Sequence, residues 1–345
     1  MKTFVCNCGN QLFFDNTRCL NCDVHLGYDF TMDQLEPLVK DNGRYRLASN
    51  DNEIRLCRNY VDFSVCNSLI PFDSDSDLCI SCQLNRTIPN LKFANNIQKW
   101  AKLEKAKRRL VRTLLSLGLP VTPHNKSENG LAFDFIEDQQ QNPEVVNEFV
   151  STGHFKGLIT INLAEADDIY LESAKYDLGE QYRTPLGHLR HESGHYYFDL
   201  LIQHSEWIQS FRELFGDEQK DYNAALAHYY QTKPHKDWNQ YYISEYAMVH
   251  PLEDWAECWA HYLHMVDTLE TAHSLKILAG NNSTSIDAQL TNWSYLSMSL
   301  NELNRSMGLN DAYPFVMSTE VIKKIRLVDQ VIDPSYAPIQ QGEAG

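Results

Sequence analysis

The sequence predicts an α+β fold with a cysteine-rich head, a linking amphipathic helix, and a body in which a small sheet is followed by helices. Three observations support this prediction. Eight of the nine cysteines lie before residue 83, and a long helical pattern follows them. Strand-like runs at 131–136 and 157–164 then precede helical segments near 184–203, 205–214, 221–231, 251–273 and 286–306. Strands followed by helices are typical of an α+β domain. The expected boundaries are 1–90 for the head, 91–120 for the connecting helix, 121–332 for the body and 333–345 for a disordered tail.

The composition is that of a soluble protein, with 43% hydrophobic and 22% charged residues. The first ten residues, MKTFVCNCGN, contain no apolar leader, and no stretch approaches the roughly 18 apolar residues that a membrane span needs. We therefore expect a cytoplasmic protein without a membrane partner. The net charge of −16 argues against nucleic acid as a partner, because affinity for phosphate backbones rests on lysine and arginine.

The first four cysteines have the spacing of a zinc ribbon. Cys6 and Cys8 form a CxC pair, and Cys19 and Cys22 form a CxxC pair after ten intervening residues. Two short knuckles joined by a hairpin can deliver four thiolates to one zinc ion. In a cytosolic protein, clustered thiols are more often metal ligands than disulfides. This quartet predicts a first structural zinc.

The next four cysteines are spaced more loosely. Eight residues separate Cys57 from Cys66, while Cys79 and Cys82 form a second CxxC pair. We expect them to hold a second structural zinc, and ligation crossed between the two quartets remains an alternative. A head this small buries little apolar surface, so each zinc would supply folding free energy. Because the head is mildly acidic and lacks a run of arginine, lysine and aromatic residues, a protein partner or a simple scaffolding role suits it better than nucleic acid.

The connecting segment shows the pattern of a long amphipathic helix. Its apolar positions recur at helical spacing: Trp100, Leu103, Leu110, Leu114 and Leu117. Residues 92–112 also carry eight basic side chains against a single acid, Glu104. We expect these basic side chains to form a solvated face on a helix that packs against the next domain. The alternative is an electrostatic contact with the acidic body or with an acidic partner.

The body contains the motif HExxH, formed by His191, Glu192 and His195. Thr184 and Pro185 precede it as the N-cap and first residue of a helix. On that helix, residues four apart share a face, so both imidazoles could bind one zinc ion. Glu192 would lie beside the ion, where a carboxylate can accept a proton from zinc-bound water.

A third ligand must come from another segment. Glu253 and Glu257 are four residues apart on a helix that Pro251 begins, so both project to one side. This ExxAE arrangement allows Glu253 to bind the metal and Glu257 to accept a hydrogen bond from a ligand histidine, which orients the ring. Asp199 lies four residues after His195 and could support that histidine or compete as a ligand. For Asp199, a supporting or purely structural role is favoured.

Three further residues near these segments are expected to be structural. His250 and His261 flank the ExxAE motif, but the pair of glutamates already fits the ligand geometry. Cys258 follows Glu257 directly and is expected to be a small buried residue, with an adventitious metal site as the alternative.

The motifs HESGHYYFD, DYNAALAHYY, ISEYA and HPLEDWAECWAHYLH resemble those of the zinc-binding metallopeptidases that carry an N-terminal zinc-ribbon region. The likeness covers roughly residues 1–275. HExxH followed by ExxAE is also similar to the gluzincins, including the lethal-factor-like peptidases. The resemblance implies a zincin-like body with one catalytic zinc held by His191, His195 and Glu253. It also implies a role for Tyr246, which stands seven residues before Glu253, where lethal-factor-like enzymes commonly place the tyrosine that stabilises the oxyanion.

The predicted function is therefore that of a zinc metallopeptidase acting on a peptide or protein, with Glu192 as general base. The alternative is an interaction or regulatory module whose peptidase-like body binds a partner without cleaving it. Intact Glu192 favours the enzyme, because a purely structural zinc site does not need that carboxylate. The substrate is not predicted by any of these patterns.

Overall fold

A computed structural model describes residues 1–93, 95–178, 182–232, 235–280, 283–333 and 335. Its strands and helices confirm the α+β class. The predicted disordered tail at 333–345 lies outside the described residues, apart from Asp333 and Ser335. None of the described helices is both long enough and apolar enough to cross a membrane.

The chain divides into two compact units. The first comprises Met1–Gly153, Gly157–Leu189 and Glu270–Gly280. The second comprises His154–Lys156, Arg190–Leu269 and Asn281–Gly345.

The head is built from seven short strands and one short helix. The strands are β1 Phe4–Val5, β2 Gln11–Leu12, β3 Leu26–Asp29, β4 Gln34–Asp41, β5 Arg44–Leu47, β6 Glu53–Leu56 and β7 Leu69–Pro71, and helix α1 is Arg58–Phe63. Strands β1 and β2 form an antiparallel pair, and β3 to β7 form an antiparallel sheet in chain order. Its buried side chains form small clusters that include the cysteines, so thiol groups make up much of the local core.

The predicted strands of the body are confirmed. The remaining strands are β8 Asn85–Thr87, β9 Ala132–Ile136, β10 Gly153–Phe155 and β11 Leu158–Asn162. Strand β8 lies inside the expected head boundary of 1–90 but joins the sheet of the body. Strand β9 pairs in parallel with β8 on one side and with β11 on the other. A parallel pair needs a crossover connection, and the helix between β8 and β9 provides it. Most side chains of β9 and β11 are buried, which explains their apolar and β-branched composition.

The helices also follow the predicted pattern. They are α2 Asn96–Ser116, α3 Asp168–Leu178, α4 Pro185–Leu201, α5 Trp207–Phe215, α6 Tyr222–Gln231, α7 Pro251–Ser274, α8 Ile286–Ser306 and α9 Thr319–Ile332. Helices α3 and α9 were not predicted. A signal for α9 was present, because Ser318 caps it by accepting a hydrogen bond from the amide of Val321.

The prediction of a solvated basic face holds for only part of the connecting segment: Lys92 and Lys105 are exposed, but three other basic residues are not. The side chains of Lys107, Arg108 and Arg112 are buried. Arg112 donates to both carboxylate oxygens of Asp33, at 2.9 and 2.7 Å, and also pairs with Glu270. The electrostatic contact that the alternative assigned to the body is present at Glu270, and Arg112 makes a further one to Asp33 of the head, which was not predicted.

The position of Lys107 explains part of this error. Lys107 lies seven residues after Trp100 and four after Leu103, so it falls within the apolar stripe of α2 rather than opposite it. Arg108 contacts Asn67 and Asp15 within the first unit. The basic helix thus packs against the head through charged groups as well as through leucines.

Candidate metal centres

The first quartet of cysteines comes together at one point of the head. The Sγ atoms of Cys6 and Cys22 are 3.6 Å apart, as are those of Cys8 and Cys19. Disulfide sulfurs would be separated by about 2.05 Å. Four thiolates around a tetrahedral zinc, with Zn–S bonds of about 2.3 Å, lie about 3.8 Å from one another. The separations therefore fit a zinc site. Cys8 and Cys22 are exposed, whereas Cys6 and Cys19 are buried.

The second quartet comes together separately. The ligand atoms of Cys57, Cys66, Cys79 and Cys82 all lie within 4.8 Å of one another, with Cys66 and Cys79 at 3.8 Å. All four are buried. The structure thus groups the cysteines in two consecutive quartets and not in the crossed arrangement.

The second quartet has basic neighbours from α2. Burial alone would raise the pKa of Cys66, but hydrogen bonds from the neighbouring thiols and the charge of Arg108 hold it well below its ordinary value. The thiol of Cys82 lies 3.6 Å from the carboxylate of Glu104, which itself pairs with Lys107 at 2.8 Å. The charge of Arg108 therefore favours the thiolate form of Cys66, the form that a metal requires, whereas burial and hydrogen bonds among the thiols raise the pKa of Cys79 and that of Cys82 well above the ordinary value.

The HExxH site is formed where helices α4 and α7 cross in the second unit. Gly194 lies between the two motif histidines, and a Cβ atom at this position would come within 2.8 Å of the Cα of Ala256 on α7. The helices approach this closely only because the residue is glycine. The indole nitrogens of Trp255 and Trp259 donate to Gly194 and Ser193 of α4, which fixes the crossing.

The crossing brings three predicted ligands together. The Nε2 atoms of His191 and His195 are 3.2 Å apart. The carboxylate of Glu253 lies 3.0 Å from Nε2 of His191 and 3.5 Å from Nε2 of His195. Nitrogen ligands on a tetrahedral zinc, at about 2.0–2.1 Å from the metal, are about 3.3–3.4 Å apart. Two imidazoles and one carboxylate at these separations fit a zinc site that leaves a fourth position for water.

Glu257 lies on the far side of the His191 ring. Its carboxylate accepts a hydrogen bond from Nδ1 of His191 at 2.6 Å, which leaves Nε2 directed towards Glu253. Burial alone would lower the pKa of His191, but the two glutamates raise it well above its ordinary value. Burial would raise the pKa of Glu257, and the hydrogen bond from His191 instead lowers it to about 2.

Glu192 and Tyr246 lie next to these groups. Glu192 follows His191 directly on α4 and is buried. Tyr246 begins a short 3₁₀ turn before α7, and its ring centroid is 6.0 Å from that of His191. Burial and the charge of Glu253 raise the pKa of Tyr246 far above its ordinary value, so its hydroxyl remains a proton donor.

The structure adds two residues that were not predicted. Tyr222, at the start of α6, donates a hydrogen bond of 2.8 Å to Oε1 of Glu253. His154 lies nearly parallel to the ring of His195, with centroids 6.5 Å apart, and burial lowers its pKa to about 4. Tyr222 belongs to the motif DYNAALAHYY, which indicated only the family resemblance. No spacing in the sequence links Tyr222 or His154 to the HExxH motif.

The remaining candidates lie around the site. The carboxylate of Asp199 is nearly half exposed and lies 4.0 Å from Nδ1 of His154; in the described ranges it forms no hydrogen bond with His195. His261 is buried and shares a hydrogen bond of 2.8 Å with the hydroxyl of Tyr313.

His250 and Cys258 are also buried. Nε2 of His250 donates to the backbone carbonyl of Lys220 at 3.0 Å. The thiol of Cys258 is 3.7 Å from the carboxylate of Asp254.

Comparisons with known proteins match the whole chain. Residues 96–331 match the family described as "Putative zinc-binding metallo-peptidase", and residues 3–93 match a zinc-ribbon domain. Uncharacterized protein Rv2568c of Mycobacterium tuberculosis and uncharacterized protein Mb2598c of Mycobacterium bovis are each 38% identical over 352 aligned positions, which cover 98% of this chain and 98% of each relative. No solved structure matches the chain.

Proposed function

Because the chain belongs to this zinc-binding metallo-peptidase family, with a zinc-ribbon domain ahead of the peptidase region, we propose that it hydrolyses peptide bonds at the HExxH site. The observation that carries the proposal is the convergence of His191, His195 and Glu253. Glu192 directly follows His191 on α4. Three ligand atoms within 4.8 Å of one another match the three protein ligands of a catalytic zinc. A site made only to stabilise the fold would be expected to have four.

In this proposal His191, His195 and Glu253 hold the zinc. When bound, zinc would lower the pKa of a water molecule to about 7 and polarise the carbonyl group of the scissile bond. Glu257 holds the His191 ring in the orientation that presents Nε2, through the 2.6 Å hydrogen bond to Nδ1.

Glu192 acts as the general base and then as the general acid. It accepts a proton from the attacking water at its carboxylate and afterwards donates that proton to the leaving amine. Its low exposure favours this role, since proton transfer is more efficient where bulk water does not compete.

Tyr246 stabilises the oxyanion. Its hydroxyl keeps its proton and can donate a hydrogen bond to the oxygen that becomes negative as the carbonyl is attacked. Such a donor typically contributes 10²–10³-fold to the rate.

The test compares new protein N-termini in cells that express the wild type with those in cells that express Glu192→Gln. This substitution removes the base but leaves the three proposed ligands intact, so zinc content should not change. We expect a set of N-termini that appears only with the wild type, including any that result from self-cleavage. His195→Ala, which removes a ligand, should lose the same N-termini and one zinc ion.

Identical sets of new N-termini in cells with the wild type and cells with Glu192→Gln, at equal zinc content of the two proteins, would contradict the peptidase proposal. That result would favour the alternative in which the body binds a partner without cleaving it.

A further inference from the structure

The hydrogen bond from Tyr222 distinguishes the two oxygens of the Glu253 carboxylate. Oε2 faces Nε2 of His191 at 3.0 Å. Oε1 lies 3.5 Å from Nε2 of His195 and accepts the hydroxyl of Tyr222 at 2.8 Å. The carboxylate is 3% exposed, so water contributes little to holding its orientation.

The fold holds Tyr222 in place from two sides. Tyr222 is the first residue of α6, immediately after Asp221, which caps the helix by accepting a hydrogen bond from the amide of Ala224 at 3.0 Å. Its ring packs edge-on against the imidazole of His250, with centroids 5.3 Å apart. His250 is itself held by its hydrogen bond to the carbonyl of Lys220. The Asp221 cap and the His250 contact therefore both depend on residues just before α6.

Helix α6 lies at the surface of the second unit. None of its ten residues is buried. Its contacts with the site come from tyrosines: Tyr229 donates a hydrogen bond of 3.3 Å to Glu245 and its ring centroid lies 6.1 Å from that of Tyr246, and Tyr222 also interacts electrostatically with Tyr246. A hydroxyl aimed from a weakly packed helix into a buried carboxylate indicates a requirement at the carboxylate rather than a packing role.

We propose that Tyr222 is a positioning residue that orients Glu253 as a metal ligand. Its hydrogen bond occupies Oε1 and leaves Oε2 as the oxygen offered to the metal beside His191. A carboxylate that binds through one oxygen takes one coordination position, so a fourth position remains for water. This inference rests on the proposed function, because it assumes that the site binds zinc.

The test measures metal binding by the full-length chain and does not depend on activity. Tyr222→Phe removes only the hydroxyl. Tyr230→Phe is the matched control, since Tyr230 lies on the same helix, its side chain is 65% exposed, and no residue in the described ranges accepts a hydrogen bond from its hydroxyl. His195→Ala removes a ligand of the HExxH site and therefore gives the metal binding of the two cysteine quartets alone. Zinc affinity is measured by competition with a chelator, and the coordination number by the visible absorption of Co²⁺ bound at the same site.

We expect Tyr222→Phe to weaken zinc binding about 10-fold, the usual effect of losing a hydrogen bond to a ligand, and to alter the Co²⁺ spectrum as the second oxygen becomes available. Tyr230→Phe should match the wild type in both measurements. If Tyr222→Phe binds zinc and Co²⁺ as the wild type does, the positioning role is overturned while the proposed function stands. If the wild type binds no more metal than His195→Ala, the proposed function itself fails.

Discussion

Lys107 is fully buried, in an environment where lysine is rarely found. Its side chain and that of Glu104 are fully buried, with Nζ 2.8 Å from Oε1. Nζ also donates to the carbonyl of Ser81 at 2.8 Å. Removing one partner of such a pair leaves the other charge buried and uncompensated, which is strongly destabilising. The lysine is therefore part of the core beneath the second cysteine quartet.

We predict that Lys107→Ala lowers the free energy of unfolding by about 3–5 kcal/mol, because Glu104 loses its counterion. Lys105→Ala is the matched control, because the Lys105 side chain is 55% exposed and its ion pair with Asp15 is longer, at 3.4 Å. An exposed pair of this kind contributes about 0–1 kcal/mol. Urea denaturation at a fixed zinc concentration measures both changes. Equal effects of the two substitutions would contradict the buried-pair argument.

His261 should make stability depend on pH. Burial lowers its pKa to about 4 in the folded chain, from an ordinary value of 6.5. The neutral ring is therefore favoured by folding, and its contribution is complete above pH 6.5 and lost as the pH falls towards 4. The full shift corresponds to about 3 kcal/mol.

We predict that His261→Gln reduces the loss of stability between pH 6.5 and 5. Melting temperatures of the wild type and the variant at several pH values in this window measure the effect. Parallel wild-type and His261→Gln profiles would show that His261 does not titrate differently on folding.

At the scale of elements, the crossing of α4 and α7 matters most for the site. The spacing of HExxH places two histidines on one face of α4, and the spacing of ExxAE does the same for two glutamates on α7. Neither pattern alone specifies how far apart the helices lie. Gly194 allows the backbones of the two helices to come into contact. The indole nitrogens of Trp255 and Trp259 on α7 donate hydrogen bonds to α4 next to it. The site geometry thus depends on a residue that has no side chain.

We predict that Gly194→Ala lowers the free energy of unfolding by about 1–3 kcal/mol, because a methyl group must be fitted against the α7 backbone. It should also weaken zinc binding at the HExxH site, since the two sets of ligands are pushed apart. Gly153→Ala is the control, because a Cβ atom there meets nothing within 4 Å. Chemical denaturation and zinc content measure both effects; an unchanged Gly194→Ala protein would contradict the close approach.

At the scale of the whole molecule, the candidate zinc sites differ in exposure. Two cysteines of the first quartet are exposed, whereas all four of the second are buried. Ligand exchange at zinc requires a competing ligand or proton to reach the sulfurs. The exposed quartet should therefore release zinc more easily than the buried one.

We predict three zinc ions per chain in the wild type and two in His195→Ala. When a chelator is added to His195→Ala, zinc should leave in two phases, the faster from the first quartet. Cys8→Ser should remove the fast phase, and Cys79→Ser should remove the slow one. Zinc release followed with a colorimetric chelator measures the rates, and a single phase would contradict the difference in exposure.

Much of the local chemistry could be predicted from the sequence. The strands at 131–136 and 157–164 and the helix that carries HExxH were located correctly because periodicity and capping act within one element. The ligand types were predicted for the same reason, since each HExxH or CxxC pair lies within a few residues. The spacing of α2 likewise placed Lys107 in its apolar stripe, but its charge led to the wrong prediction of a solvated side chain.

The sequence by itself therefore determined which groups share a helix face or a knuckle. Only the tertiary structure decided which of those faces meet. Arg112 pairs with Asp33, which is 79 residues away, and Tyr222 donates to Glu253, which is 31 residues away. The physical reason is that the periodicity of a helix or strand reports the direction of side chains within that element, whereas these contacts depend on the packing of different elements, which no local pattern encodes.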